Sequence, residues 1–129
     1  MRDKVIFTDV VCSGLALCRR REPWHITCLP HARPTKETAC GCAGIFNAPY
    51  AIESYALVFE QEKALERLEG FASEFGARFY GLPLNSDKIT LVRDPQPVPK
   101  LLDFPGATGD GAGLVPFHAG ETLPWRLLP

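Results

Sequence analysis

The residues of this chain whose types and spacing could do chemistry gather between Pro30 and Tyr50, in the run PHARPTKETACGCAGIFNAPY. His31 stands just ahead of a short mixed-charge group, Arg33, Lys36 and Glu37, and the turn Cys40-Gly41-Cys42-Ala43-Gly44 leads directly to a helix start. A loop of this make-up is suited to holding a ligand, and an imidazole that is protonated or donating favours an anionic one. Arg33 and Lys36 would add to that preference, although solvated loop charge is the plainer account of both. A second candidate is Asp9. KVIFTD, Lys4 to Asp9, reads as a short strand of β-branched and aromatic residues, and the C-terminal ends of strands are where barrel enzymes place their catalytic groups. A carboxylate there can act as general acid or base, or it can be no more than surface charge.

Five cysteines, Cys12, Cys18, Cys28, Cys40 and Cys42, form an odd set without regular spacing. This argues against a secreted disulfide framework and for a reducing compartment. Cys40-x-Cys42 with Cys28-x-x-His31 could be drawn as a zinc knuckle, but the two-residue spacer of paired structural-zinc cysteines is missing between the cysteines themselves. Loop or buried thiols are the simpler reading.

The Pro30 to Tyr50 run closely resembles the segment after the last barrel strand in dihydroorotases of the single-function bacterial and fungal type. These are metal-dependent amidohydrolases that interconvert N-carbamoyl-L-aspartate and L-dihydroorotate in de novo pyrimidine (UMP) synthesis. The resemblance continues in order through SYALVFEQ (Ser54 to Gln61), ARFYGLPLNSDKITLVRD (Ala77 to Asp94) and LVPFHAGETLPWRL (Leu114 to Leu127), so that it covers residues 29–129. It implies an α/β fold, the C-terminal part of a (β/α)8 barrel: last strand, substrate loop, C-terminal helices and short strands. It also implies hydrolysis or closure of a cyclic amide at a site with two zinc ions. His31 matches the family histidine that contacts the substrate carboxylate, and Ala43 a residue whose backbone also contacts substrate. Asp9, in the Thr-Asp ending of its strand, would match the aspartate that is both zinc ligand and general acid or base. In the family the Cys-Gly-Cys-Ala-Gly turn belongs to the substrate loop and not to a metal site.

A (β/α)8 barrel needs about 250 residues, and seldom fewer than about 200, against the 129 here. In the resembled family most zinc ligands come from the earlier strands: a His-x-His pair, a carboxylated lysine and two further histidines. With His25, His31 and His118 as its only histidines, the sequence has no His-x-His. Asp9 and His31 also stand 22 positions apart, whereas only a short spacer divides their family counterparts. Two accounts stay open. Either residues 10–28 are an insertion and Asp9 is the true counterpart, or everything before Leu29 is unrelated and Thr27, which cannot act as a base, stands in that place. The chain accordingly divides into 1–28, a poorly matching segment with a candidate barrel strand at 4–9, and 29–129, the dihydroorotase-like region.

Composition bounds the rest. With 46% hydrophobic and 22% charged residues, the chain falls in the ordinary soluble range with one modest core. A net charge of -1, with Arg19-Arg20-Arg21 as the only basic run, gives no electrostatic case for nucleic acid or anionic membranes. Asp9 interrupts the N-terminal apolar run, unlike a secretory signal, and no stretch approaches the ~20 apolar residues of a membrane span. A cytoplasmic protein is expected, with a small-molecule substrate and either a homodimeric or a complementing-chain assembly.

Pro49 in a first turn, followed by Ile52, Tyr55, Ala56 and Phe59, predicts a helix over 49–61. Leu65, Leu68, Phe71, Ala72 and Phe75 predict a second over 63–75, capped by Gly76. Together they should bury Ile52, Phe59, Leu68, Phe71 and Phe75. One further helical turn at 77–80, a strand over 88–93 and an extended end over 122–127 complete the chain, with a Gly- and Asp-rich loop at 103–113. The Gly-x-Gly of that loop lacks the strand-to-helix setting of a phosphate loop. Two function classes remain: part of a dihydroorotase-type enzyme, or a non-catalytic α+β interaction module derived from the same fold.

Overall fold

The computed structural model describes residues 4–8, 32–39, 45–103 and 112–128. In chain order these hold β1 (Lys4–Thr8), a short helix α1 (Arg33–Lys36), and a 3-10 turn (Ala48–Tyr50) running into α2 (Ala51–Gln61). Next come a 3-10 turn (Leu65–Arg67), a π turn (Gly70–Glu74) and α3 (Phe75–Phe79). Four strands close the chain: β2 (Lys88–Val92), β3 (Gln96–Pro97), β4 (Thr122–Leu123) and β5 (Arg126–Leu128). One sheet has the order β1-β2-β5 and a second pairs β3 with β4.

All three pairings are antiparallel. β1 lies against β2 with Lys4 opposite Val92 and Thr8 opposite Lys88, and β2 lies against β5 with Leu91 opposite Leu127. KVIFT thus forms a strand, but its partner is not a parallel neighbour of the kind a (β/α)8 sheet supplies. The described residues form no closed barrel; they form a helical layer on a small sheet. Among them no helix is long and apolar enough to cross a membrane.

The core sits where α2 meets β2 and the β4–β5 segment. Ala56, Leu68, Leu91 and Trp125 are fully buried there, with Ile52, Phe59, Leu65, Ala72 and Ile89 packed around them. Glu53, one turn before Ala56, is also buried. Its Oε1 accepts from Gln96 Nε2 and from the Leu127 backbone N–H, both at 3.3 Å, and the same Gln96 amide donates to the Trp125 carbonyl at 3.0 Å. A carboxylate taken out of water is tolerated only when its lone pairs are occupied in this way. Two turns on, Glu60 pairs with Arg93 and accepts from Trp125 Nε1 at 3.2 Å, while the Arg93 guanidinium lies 5.1 Å from the Trp125 ring centre. Helix α2 therefore fastens to the strands through apolar and acidic side chains on one face.

The predicted first helix forms as 48–61 with Pro49 in its first turn. Asn47 precedes it but its side chain makes no cap; its Oδ1 instead receives the Ser54 hydroxyl, at 3.3 Å. The predicted second helix, 63–75, is corrected in three respects. It begins as a 3-10 turn, passes through a π turn and runs on to Phe79, so that Gly76 lies inside it and not at its cap. The π turn closes from Phe75 N–H to Gly70 O, and its i→i+5 step rotates the succeeding turn about the helix axis. The buried line becomes Leu68, Ser73 and Ala77, leaving Phe71 48% and Phe75 59% exposed, where both were expected inside.

Both helical segments end in the same way. Ala64 N–H reaches Phe59 O at 2.8 Å and Lys63 N–H reaches Glu60 O at 3.0 Å; Leu82 N–H reaches Ala77 O at 2.9 Å and Gly81 N–H reaches Arg78 O at 3.3 Å. These are paired Schellman bonds, with the left-handed residue at Lys63 (φ 55°) and Gly81 (φ 64°). Since a side chain in that conformation costs about 1–2 kcal/mol, Lys63→Gly should raise stability by about 1 kcal/mol and Gly81→Ala should lower it by a similar amount. Urea denaturation of the two variants checks the opposite signs; a stabilising Gly81→Ala contradicts this account of the caps.

Candidate functional site

The run singled out in the sequence is held at both flanks by one distant segment. On the first flank, α1 begins at Arg33, whose backbone N–H donates to Gly113 O at 2.8 Å. On the second, Phe46 O accepts from Phe117 N–H at 2.7 Å. Leu114 lies between these anchors and is itself tied to Leu102 by reciprocal backbone bonds of 2.8 and 3.0 Å. The stretch Gly113 to Phe117 thus acts as a clamp across the base of the loop. At Gly113 a side chain cannot be accommodated without movement, because a Cβ would lie 2.9 Å from the Leu102 carbonyl oxygen. No sequence signal marked Gly113 or Phe117 for this part, since a backbone bond between residues some 70–80 positions apart leaves no trace in residue type.

Within the loop, the Arg33 guanidinium is turned along its own helix to Glu37, at 2.7 Å. Both side chains are about half exposed (46% and 59%), so the pair contributes roughly 0–1 kcal/mol. Arg33 thus stands as a locally paired surface cation. Beyond the clamp, His118 takes a left-handed φ of 65° and its Nδ1 lies 2.7 Å from Glu121 Oε2, with the Phe117 ring centre 4.2 Å away and tilted by 57°.

Asp9, His31 and Ala43, the three residues the sequence nominates, lie outside the described residues, and so does the Asp9-to-His31 separation that would decide between the two accounts of residues 10–28. Cys28, Cys40 and Cys42 of the knuckle alternative lie outside them as well, as do Cys12 and Cys18. Among the described residues no three His, Cys, Asp or Glu side chains converge to hold a metal ion. The described part of the chain does not, by itself, fit a binuclear zinc centre. What it presents is a braced scaffold for the two flanks of the Pro30 to Tyr50 run.

No protein-family model matches the chain. Over 100 residues it is 59% identical to the dihydroorotase of a Synechococcus species (strain CC9902) and 60% identical to that of Parasynechococcus marenigrum, each match taking in 78% of this chain and 26% of the relative. Among solved structures it is similar to the crystal structure of dihydroorotase from Saccharomyces cerevisiae in complex with 5-fluoroorotic acid. There the TM-score is 0.66, with 34% identity, over 78% of this chain and 28% of that one. The dihydroorotase of Campylobacter jejuni is similar over the same shares, with a TM-score of 0.60 and 28% identity. The chain spans about a quarter of the length of the curated relatives it matches.

Proposed function

We propose that residues 29–129 supply the substrate-loop portion of a dihydroorotase-type hydrolase of cyclic amides, which interconverts N-carbamoyl-L-aspartate and L-dihydroorotate in pyrimidine synthesis. The observation that carries this reading is 59–60% identity to dihydroorotases sustained over 100 residues. The clamp at Gly113 to Phe117 supports it, because a loop that grips a small anion must have its ends fixed before binding. In this reading His31 donates to a substrate carboxylate, the Ala43 backbone adds a second contact, and Asp9 is the carboxylate that moves the proton and ligates metal. Zinc, when bound, would polarise the amide carbonyl. The remaining ligands, and the rest of the barrel, come from residues this 129-residue sequence does not contain.

The chain alone is therefore expected to show no turnover of dihydroorotate with added zinc, because a site without its full ligand set cannot position metal or water. Turnover above the metal-only background that survives repurification would contradict this. Joined to the remaining barrel of a relative, residues 29–129 should restore growth without pyrimidine to a bacterial strain lacking dihydroorotase; failure of an abundant, folded fusion to do so counts against the proposed function.

A further inference from the structure

The stretch from Leu68 to Leu84 buries one side and leaves the other bare. Leu68, Ser73 and Ala77 are buried, whereas Phe71, Phe75 and Phe79, spaced four apart, are 48%, 59% and 82% exposed. Phe75 and Phe79, four apart in α3, lie along one side of that helix. Phe71, ahead of it in the π turn, packs its ring against Tyr55 and Phe59 at 5.1 and 5.3 Å and leaves the rest of its surface exposed. Tyr80, Leu82 and Leu84 extend the apolar surface beyond the helix end, each about half exposed or more, and the Phe79 and Tyr80 rings meet edge to face at 5.0 Å. At ~200 Å² for a whole aromatic side chain, the four rings alone leave roughly 500 Å² uncovered. That is near the upper end of the largest apolar patch on an ordinary monomer, ~300–600 Å². The two leucines bring it toward the ~800 Å² that one partner contributes to a standard interface. Ion pairs border it, Glu74 with Arg78 at 2.8 Å and Glu69 with Lys88 at 3.3 Å, as polar rims border apolar interfaces.

We propose that this face, Phe71 to Leu84, is the seat of the rest of the enzyme: the polypeptide carrying the remaining (β/α)8 body docks on it. The inference rests on the function proposed above. A match of 100 residues in a chain of 129 necessarily takes in the centre of the chain, Phe71 to Leu84 included. The bare face therefore belongs to the part shared with the relatives, and those relatives hold about three quarters of their length outside the match, available to cover it. A second copy of this chain is the competing occupant.

The test co-expresses the 129-residue chain with Parasynechococcus marenigrum dihydroorotase lacking its matching segment, and reads association by size-exclusion chromatography with light scattering. A 1:1 complex is expected. Phe75→Asp and Phe79→Asp should each weaken it at least tenfold, and Val58→Asp, at an exposed apolar residue outside the face, should leave it unchanged. All three variants should keep the wild-type circular dichroism, because the altered side chains are exposed. Should the separate body prove insoluble, hydroxyl-radical labelling decides: Phe75, Phe79 and Tyr80 should react several-fold more slowly in the covalently joined enzyme than in the chain alone. Equal affinity of wild type and both aspartate variants, or equal labelling, overturns the proposal, and so does a homodimer of the chain that Phe79→Asp dissolves. A complex that depends on Phe79 yet turns over no dihydroorotate leaves the docking face standing and removes the function.

Discussion

Trp125→Ala is expected to lower the stability of the chain by about 3–5 kcal/mol, the range for truncating a buried tryptophan or phenylalanine. The indole is fully buried with Ala56, Leu68 and Leu91, so its removal opens a cavity where α2 meets the strands. The same change takes the indole donor from Glu60 Oε2 and the ring from beneath Arg93; Glu60 keeps its Arg93 partner, so the lost hydrogen bond adds about 1 kcal/mol to the cost. Small domains hold only about 5–15 kcal/mol in total, so a large share of the margin goes with this one side chain. Urea or thermal denaturation measures it. Trp125→Phe should recover more than half of the loss, because packing dominates and the single hydrogen bond is worth about 1 kcal/mol. A loss below about 1 kcal/mol for Trp125→Ala would show that the core does not depend on this residue.

Trp125 also marks where reading the sequence stops short. Helix α2 was legible because its signals are local: Pro49 in the first turn, and Ile52, Ala56 and Phe59 along one side. The central strand was legible from ITLV between turn residues and prolines. The buried acids of α2 were not, since what makes them tolerable is distant: Gln96 is 43 positions from Glu53, Leu127 is 74, and Trp125 is 65 from Glu60. The π turn at 70–74 was equally silent. A reading at three- and four-residue intervals has no way to see a five-residue step, and so it placed Phe71 and Phe75 inside. Of the candidate site, His31, Ala43 and Asp9 were nominated by resemblance, because residue type alone does not tell a substrate contact from a loop residue, and all three lie outside the described residues. The clamp that ties Arg33 and Phe46, at the two flanks of the Pro30 to Tyr50 run, consists of backbone bonds, to which sequence patterns are blind.

His31→Ala, made in a covalent fusion of residues 29–129 to the remaining barrel of a dihydroorotase relative, is expected to raise KM for dihydroorotate roughly 10- to 100-fold. That corresponds to losing one hydrogen bond to a charged group, about 1.5–3 kcal/mol. The change in kcat should be the smaller of the two, because a contact to a carboxylate that does not react holds ground state and transition state alike. His31→Gln, which keeps a donor, should fall between wild type and His31→Ala. Steady-state kinetics at saturating zinc separates the terms. A fall in kcat at unchanged KM would move His31 from substrate holding into the chemical step.

The central claim is that residues 29–129 are a working substrate-loop portion of a dihydroorotase, and the most direct measurement is turnover by the purified fusion itself. The matching quarter of the Parasynechococcus marenigrum enzyme is replaced with residues 29–129, and ring opening of L-dihydroorotate is monitored by the loss of its ultraviolet absorbance. Identity of 60% across the exchanged segment predicts a kcat/KM within about tenfold of the parent, a difference of about 1.4 kcal/mol in transition-state binding. A folded, zinc-loaded fusion whose rate does not rise above that of free metal would contradict the claim.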